Sequence, residues 1–256
     1  MKPATLAQTN DLAIYLDSNI ESDISLKDLI KDQFVGSIPI NLSLAITLAP
    51  NVHATLNDDL IAFTDLKTTK LIKHKLEFLV HQNSTLNYAM KVIPECTDQM
   101  SFQVAGAADD NAVVEKELIF RLMGQNAKAY VTSACYAAGS RVFKFNTLQD
   151  HRVGDTISRL TVKSVLDDAS KLVCNSMILI HKDAQRSDAA QENKNILLGK
   201  KARAVSIPQL EIEANDVKCK HGAAVSKLSN EHMFYLQSRG ISEAQTREML
   251  IQAFLN

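Results

Sequence analysis

Two side chains in this sequence stand at a spacing that could hold a metal: Cys219 and His221, separated by Lys220. In extended structure residues two apart point to the same face, so a thiolate and an imidazole would reach a shared ion together. The pair supplies only two ligands, and the same residues also fit a buried cysteine packing as a small hydrophobe beside a surface histidine. Other constellations carry less. Asp150 and His151 could suggest an acid–base dyad, but neighbours on a strand point to opposite faces. Glu211 and Glu213 share a face and suit the solvated side of a strand. No Walker lysine loop, Gly-x-Gly-x-x-Gly or Gly-x-Ser-x-Gly occurs, and the chain has only 8 glycines, so nucleotide binding by a standard phosphate loop is not expected.

The Cys-x-His pair closes the stretch Pro208 to Gly222, PQLEIEANDVKCKHG. Leu210, Glu211, Ile212, Glu213 and Ala214 alternate in the period-two pattern of a strand with one buried face, and Asn215 with Asp216 signals a turn. Upstream, Ile40, Leu42, Leu44, Ile46 and Leu48 share a face in another strand. Short apolar segments then recur at Leu76 to Val80, Leu86 to Ile93, Met100 to Val104, Val113 to Phe120, Ala127 to Thr132, Arg141 to Phe145, Ile157 to Val162 and Leu172 to Ile180. Many short strands imply a solenoid, sandwich or barrel. Polar breaks at Gln82-Asn83-Ser84, Asp109-Asp110-Asn111 and Leu166-Asp167-Asp168, without Asn-Gly or Asp-Gly hairpin turns, favour the solenoid. Cys96, Cys135 and Cys174 fall at equal intervals, but their flanks share little.

Helices are expected only at the ends. Ser25 precedes Leu26, Lys27 and Asp28 as a cap for one short helix. Ser229 opens a second, with Met233, Phe234 and Leu236 for one face and Gly240 as its left-handed stop. Ser242 and Gln245 form a capping box for a third, whose stripe is Met249, Leu250, Ala253 and Phe254. A hairpin this short must dock on the strand stack, on a partner, or on both. The division expected is a short helical or irregular segment over 1–37, a β core over 38–228 and a helical segment over 229–256.

The formal net charge is −1 and the charges are interspersed, which gives no footprint for nucleic acid or an anionic membrane. Four scattered cysteines make neither a Cys-x-x-Cys site nor a disulfide framework, and a reducing compartment fits best. With no leader pattern and no long apolar run, a cytoplasmic location is expected. Tryptophan is absent and aromatics are 5%, a composition compatible with stacked β architecture.

The pieces QENKNILL, IPQLEIEANDVKCKHGA and FYLQSRGI, within Ala184 to Ser242, closely resemble the C-terminal core of the SufB/SufD family of iron–sulfur cluster assembly scaffolds. The likeness extends more faintly to Asp150-His151 and to Val165 through Ala169. It implies a right-handed parallel β-helix followed by a helical segment that docks a SufC-type ATPase, within a complex that also holds a SufB-like paralogue. The stretch Lys200 to Ala204 lacks the cysteine of SufB-like chains, and Gly222 stands where they carry glutamate, so the resemblance points to a shortened SufD-like chain.

On that likeness His221, with Cys219 as a weaker accessory, is expected at a subunit interface where iron or a transient iron–sulfur cluster is held. Met233, Phe234, Leu236, Met249 and Phe254 are expected to face the ATPase, and this chain binds no ATP itself. The implied role is that of a noncatalytic scaffold. A homodimeric scaffold without a SufB partner is the first alternative. A β-helix glycan-binding or lyase-type protein is the second, though no groove of acidic and basic residues for it can be assembled from the sequence.

Overall fold

In the computed structural model, the structure describes residues 10–31, 40–61, 71–92 and 111–256. Among the described residues fourteen strands, numbered in chain order, alternate between two parallel sheets. One sheet stacks β1 (Asn10–Leu16), β3 (Asn41–Leu48), β5 (Leu71–Val80), β7 (Val113–Leu122), β9 (Val142–His151), β11 (Lys171–Ile180) and β13 (Arg203–Ile212). The other stacks β2 (Ile20–Ser25), β4 (His53–Asp58), β6 (Thr85–Val92), β8 (Lys128–Ala137), β10 (Ile157–Leu166), β12 (Asp188–Leu197) and β14 (Lys218–Ser226). Each coil contributes one strand to each sheet, and every pairing is parallel, so the chain is a parallel β-helix.

The N-terminal segment, expected to be helical or irregular, contributes β1 and β2 to the sheets. Its helix α1 (Leu26–Ile30) is the one that Ser25 caps, the Asp28 amide donating to the Ser25 hydroxyl. The segment Met100 to Val104, the break Asp109-Asp110-Asn111 up to residue 110, and Cys96 lie outside the described residues.

Alternation drives the fold. In β3 the even-numbered Leu42, Leu44, Ile46 and Leu48 point into the lumen and are buried. Parallel pairing stacks such rows rung upon rung, so Leu44 sits over Leu76 and that over Leu118. Phe78, Tyr88 and Phe120 fill the middle of the lumen, with the Phe78 and Phe120 rings stacked at 5.4 Å. Beside them lies a buried charge cluster: Lys116 forms an ion pair with Asp58, to which Tyr88 also donates.

The coil length in the C-terminal half is about 30 residues, as Val142 pairs with Lys171 and Ile157 with Asp188. The equal spacing of the cysteines is therefore not the structural period. Cys135 and Cys174 are simply buried in the lumen, where burial pushes the Cys135 thiol up to about 12.

The corners explain how the coils stay aligned. Asn51, Asn83, Asn126, Asp155 and Arg186 all have φ near +60° at successive turns of the same edge. Asn and Asp adopt this left-handed geometry more readily than other side-chain-bearing residues. The Asn83 amide donates to Asn51 at 2.9 Å and the Asn126 amide to Asn83 at 3.0 Å. Farther along, Arg186 clamps Asp155 with two contacts of 2.6 Å. A Cβ on Gly124 would lie 2.2 Å from the Gln82 nitrogen, so the close stacking of these turns requires glycine there.

The C-terminal helices are α2 (Asn230–Ser238) and α3 (Glu243–Leu255). Ser229 caps α2, Gly240 takes φ +86° after it, and Ser242 with Gln245 makes the capping box of α3. α3 lies on the outer face of β10 and α2 packs on α3. The buried side of α3 is Thr246, Ile251 and Leu255, with Ile251 and Leu255 against Tyr136, Val165 and Ile196. Of the expected stripe, Phe254 packs partly against this cluster and Leu250 is half-buried, while Met249 and Ala253 are exposed, which corrects those two. The sheet face, not the helix's own periodicity, decides which residues are covered. Arg247 adds an ion pair to Asp167 at 2.8 Å. Among the described residues, no helix is long and apolar enough to cross a membrane.

Candidate functional site at the open end

The last coil differs from all that precede it. Its inward rows continue those of the coil below: Leu210 stacks on Ile178, Ile212 on Ile180, Cys219 on Ala189 and His221 on Gln191. Among the described residues no further strand pairs with β13 or β14 on that side. Leu210 and Ile212 are 42% and 40% exposed, whereas Ile178 and Ile180 beneath them are fully buried. The strand expected in PQLEIEANDVKCKHG therefore exists, and bends occur at Asn215 and Asp216, but its apolar face is not buried. Alternation reports which side chains share a face; it does not report whether a neighbour covers that face. Val205, Ile207 and Val225 add to the exposed apolar area.

Cys219 and His221 share the inward face of β14, as the spacing predicts, with Cβ atoms about two strand rises, or roughly 7 Å, apart. Their environments differ. Cys219 is half-buried against an apolar patch of Ile178, Ala189 and Ala214. Burial, reinforced by the Asp188 carboxylate, pushes its thiol upward, so in this chain alone it is a neutral SH group rather than a ready thiolate. His221 is exposed and, among the described residues, has no hydrogen-bond or ion-pair partner. An imidazole free on both nitrogens can accept a ligand, a proton or a partner's side chain. Among the described residues no group of three or more His, Cys, Asp or Glu could hold a metal ion, and the pair itself supplies two donors.

Asp150 and His151 do point to opposite sides of β9. His151 is fully buried in the lumen, its Nδ1 2.7 Å from the Thr156 hydroxyl and its Nε2 2.8 Å from the Ser158 hydroxyl. Burial lowers its pKa to about 4, which keeps it neutral. Asp150 faces outward into a cage of Arg121 at 2.5 Å, His181 at 2.9 Å and Arg152 at 3.0 Å. Burial alone would raise its pKa, but the hydrogen bonds and charges of Arg152 and Arg121, joined by His181, hold it below the ordinary carboxylate range. Both residues are spoken for structurally, and no dyad forms.

The expected docking residues of the helical hairpin separate into two groups. Phe234 is 74% exposed, and Tyr235, which sequence reasoning passed over, and Met249 are also exposed. Met233, Leu236 and Phe254 are half-buried, and Phe254 lies under the Lys163 ammonium at 5.9 Å. Phe234, Tyr235 and Met249 thus stay uncovered. The uncovered rows at Leu210, Ile212 and Val225 were also missed; the signal was the lack of any further strand pattern after Ser226.

The family model described as "SUF system FeS cluster assembly, SufBD core domain" matches residues 40–254. Over 143 residues, 56% of this chain and 34% of the relative, the sequence is 36% identical to the iron-sulfur cluster assembly protein SufD of Escherichia coli. It is 40% identical to a SufBD family iron-sulfur cluster assembly protein of Synechocystis sp. over 92 residues, 36% of this chain and 20% of the relative. A third such protein, from Staphylococcus saprophyticus, is 31% identical over 134 residues, 52% of this chain and 29% of the relative. The matched region thus spans about a third or less of these relatives' length.

Proposed function

Since this chain belongs to the SufBD core-domain family of the SUF iron–sulfur cluster assembly system, we propose that it is a SufD-like, noncatalytic scaffold subunit. In this reading it pairs with a SufB-like chain through the open terminal coil. The observation that carries the reading is the uncovered inward face of β13 and β14, an apolar surface with an unpartnered imidazole in it. Exposed strand edges and apolar rows of this kind invite pairing with another chain. Iron or a nascent cluster is then the cargo, held at the seam by His221 with Cys219 beside it and completed by donors from the partner. Closure of the seam would also change the surroundings of the Cys219 thiol, which is neutral before pairing.

The second contact is the hairpin of α2 and α3, whose Phe234, Tyr235 and Met249 offer an apolar surface to a SufC-type ATPase. The reading is tested by coexpressing the full chain with a SufB-like protein and the ATPase. Removal of Ser229 to Asn256 should abolish ATPase copurification while pairing with the SufB-like chain persists. His221→Ala should leave the complex assembled and lower the cluster yield. Retention of the ATPase by the truncated chain would sink the docking role, and unchanged cluster yield would sink the role of His221. A chain that forms only dimers of itself in this coexpression would favour the homodimeric scaffold instead.

A further inference from the structure

Along the stack, charged side chains pair with neighbours on adjoining coils. Lys73 and Lys144 both bind Glu115, Arg159 binds Asp188, and Arg186 binds Asp155. The corner at which β13 begins and β14 ends departs from this. Lys200, Lys201, Arg203 and Lys227 are all exposed there, and among the described residues none of their side chains has an ion-pair or hydrogen-bond partner. From Leu198 to Ser229 the carboxylates are Glu211, Glu213 and Asp216, all at the far end of β13 or in the bend after it. The two signs are therefore segregated to opposite ends of the terminal coil.

The fold brings the four cations together. Leu198 and Leu228 pack against one apolar cluster, around Tyr136, Val165 and Ile196, which gathers Lys200, Lys201 and Lys227 at the same end of the coil. Gly199 lies directly on the corner below, where a Cβ would come within 2.3 Å of the Asp168 nitrogen. Arg203 opens β13 in register with Lys171 of β11, which is likewise exposed and unpaired among the described residues. Adjacent strands stand about 4.8 Å apart, inside the Debye length of about 8 Å at physiological salt, so these like charges repel. The carboxylates of the corner below are already engaged. Asp167 is held by Arg247 at 2.8 Å, and Asp168 accepts from the Gly139 amide at 2.9 Å.

We infer that this corner is a specificity element of the pairing surface, which receives a carboxylate-rich segment of the SufB-like chain covering the terminal coil. The inference rests on the pairing reading above and adds to it the chemistry of the partner. The corner adjoins Val205 and Val225, 39% and 51% exposed and each two residues from a cation, so the occupant must bury apolar side chains and neutralise charge at once. That combination is the anatomy of a protein interface, an apolar centre with a charged rim. A nucleic acid fits less well, since β13 and β14 contain no Phe, Tyr or Trp on which a base could stack. Carboxylates on the partner relieve the repulsion only in the complex, steer its approach, and leave a chain without them at a disadvantage.

The test uses the full chain with a SufB-like chain and compares the wild type with the triple charge reversal Lys200→Glu, Lys201→Glu and Lys227→Glu. The neutral set Lys200→Gln, Lys201→Gln and Lys227→Gln covers the case in which reversal disturbs folding. At low salt the reversal should slow association by about tenfold or more, and added salt, which slows the wild type, should no longer do so. The neutral set should fall between the two. Equal association rates at low salt for the wild type and both variants overturn the inference and leave the pairing reading in place. Failure of the wild type to associate at any salt overturns both. Self-association of this chain that Glu213→Lys abolishes would give the corner to its own carboxylates, and capture of single-stranded RNA by the wild type but not the reversal would give it to phosphate; either result overturns the inference.

Discussion

Gln191 and His221 occupy neighbouring rungs of the same ladder, one 5% exposed and the other in the open. Nothing in their side chains accounts for the difference. It arises because β12 has a strand on each side and β14 has one. The terminal coil therefore resembles an interior rung placed at a surface, and its apolar residues contribute little to the stability of the isolated chain. Leu210→Arg combined with Val225→Arg should shift the unfolding free energy by no more than about 0.5 kcal/mol each, as for other exposed positions. The same pair should abolish association with the partner chain, read by sedimentation velocity. Intact association of the double variant would remove this surface from consideration.

His151 makes stability depend on pH in a defined window. Its folded pKa is about 4 while the unfolded residue titrates near the ordinary value of 6.5, so the neutral form is favoured by folding. Above pH 6.5 both states carry a neutral imidazole and the full stability is present. As pH falls from about 6.5 to 4 the unfolded chain takes up a proton that the native state refuses, and stability declines by roughly 3 kcal/mol. His151→Gln retains a donor and an acceptor for Thr156 and Ser158 but does not titrate. Urea unfolding of both proteins across this range should give a shallower pH slope for the variant; equal slopes would contradict the buried neutral imidazole.

The corner ladder is open to a pair of substitutions at one site. Asn83 adopts φ +57° and bonds to Asn51 on one side and Asn126 on the other. Asn83→Gly loses the amide bonds but keeps the backbone at ease, and should cost about 1 kcal/mol. Asn83→Ala loses the same bonds and also strains the left-handed turn, for a total of about 2 kcal/mol. Chemical denaturation that ranks alanine as the more stable variant would show that backbone geometry is not the reason for asparagine here.

The buried pair of Asp58 and Lys116 should behave asymmetrically. Each is fully enclosed, and Tyr88 donates to the same carboxylate. Lys116→Met alone leaves an unpaired buried carboxylate and should destabilise by about 3–5 kcal/mol. Asp58→Asn added to it should recover much of that loss, because the amide is uncharged and its carbonyl oxygen can still accept from Tyr88. A double variant as unstable as the single one would mean that the pair contributes more than its own compensation.

Much of this architecture could be read from alternation. β3 and β11 carry strong apolar rows, and both were visible as strands. β12, with sequence DAAQENKNIL, was not, because its inward residues are Gln191, Asn193 and Asn195 and its pattern does not look like a buried face. The turn at Gln82-Asn83-Ser84 was legible, but the bonds joining Asn83 to its neighbours connect residues about 30 apart and follow only from the stacking. Membership of the SufB/SufD family was evident in PQLEIEANDVKCKHG, whereas the exposure of Leu210 and Ile212 depends on what is absent above them. In α3 the caps were local and readable; the covered stripe depends on the curvature of sheet and helix together.

The row of left-handed corners also determines how such a molecule can change in length. That edge fixes the pitch, since each turn places its left-handed residue, asparagine, aspartate or Arg186, over the last. The opposite edge is less uniform: in the C-terminal coils Gly139 and Asp168 also take positive φ and the Gly139 amide donates to the Asp168 carboxylate at 2.9 Å, whereas the interval from Val92 to Val113 is far longer than the connection from 138 to 141. One edge therefore acts as a ruler from β3 to β12, and the other does so only between β8 and β11. A change in the length of the interval between Val92 and Val113 should therefore leave the pitch of the stack unchanged.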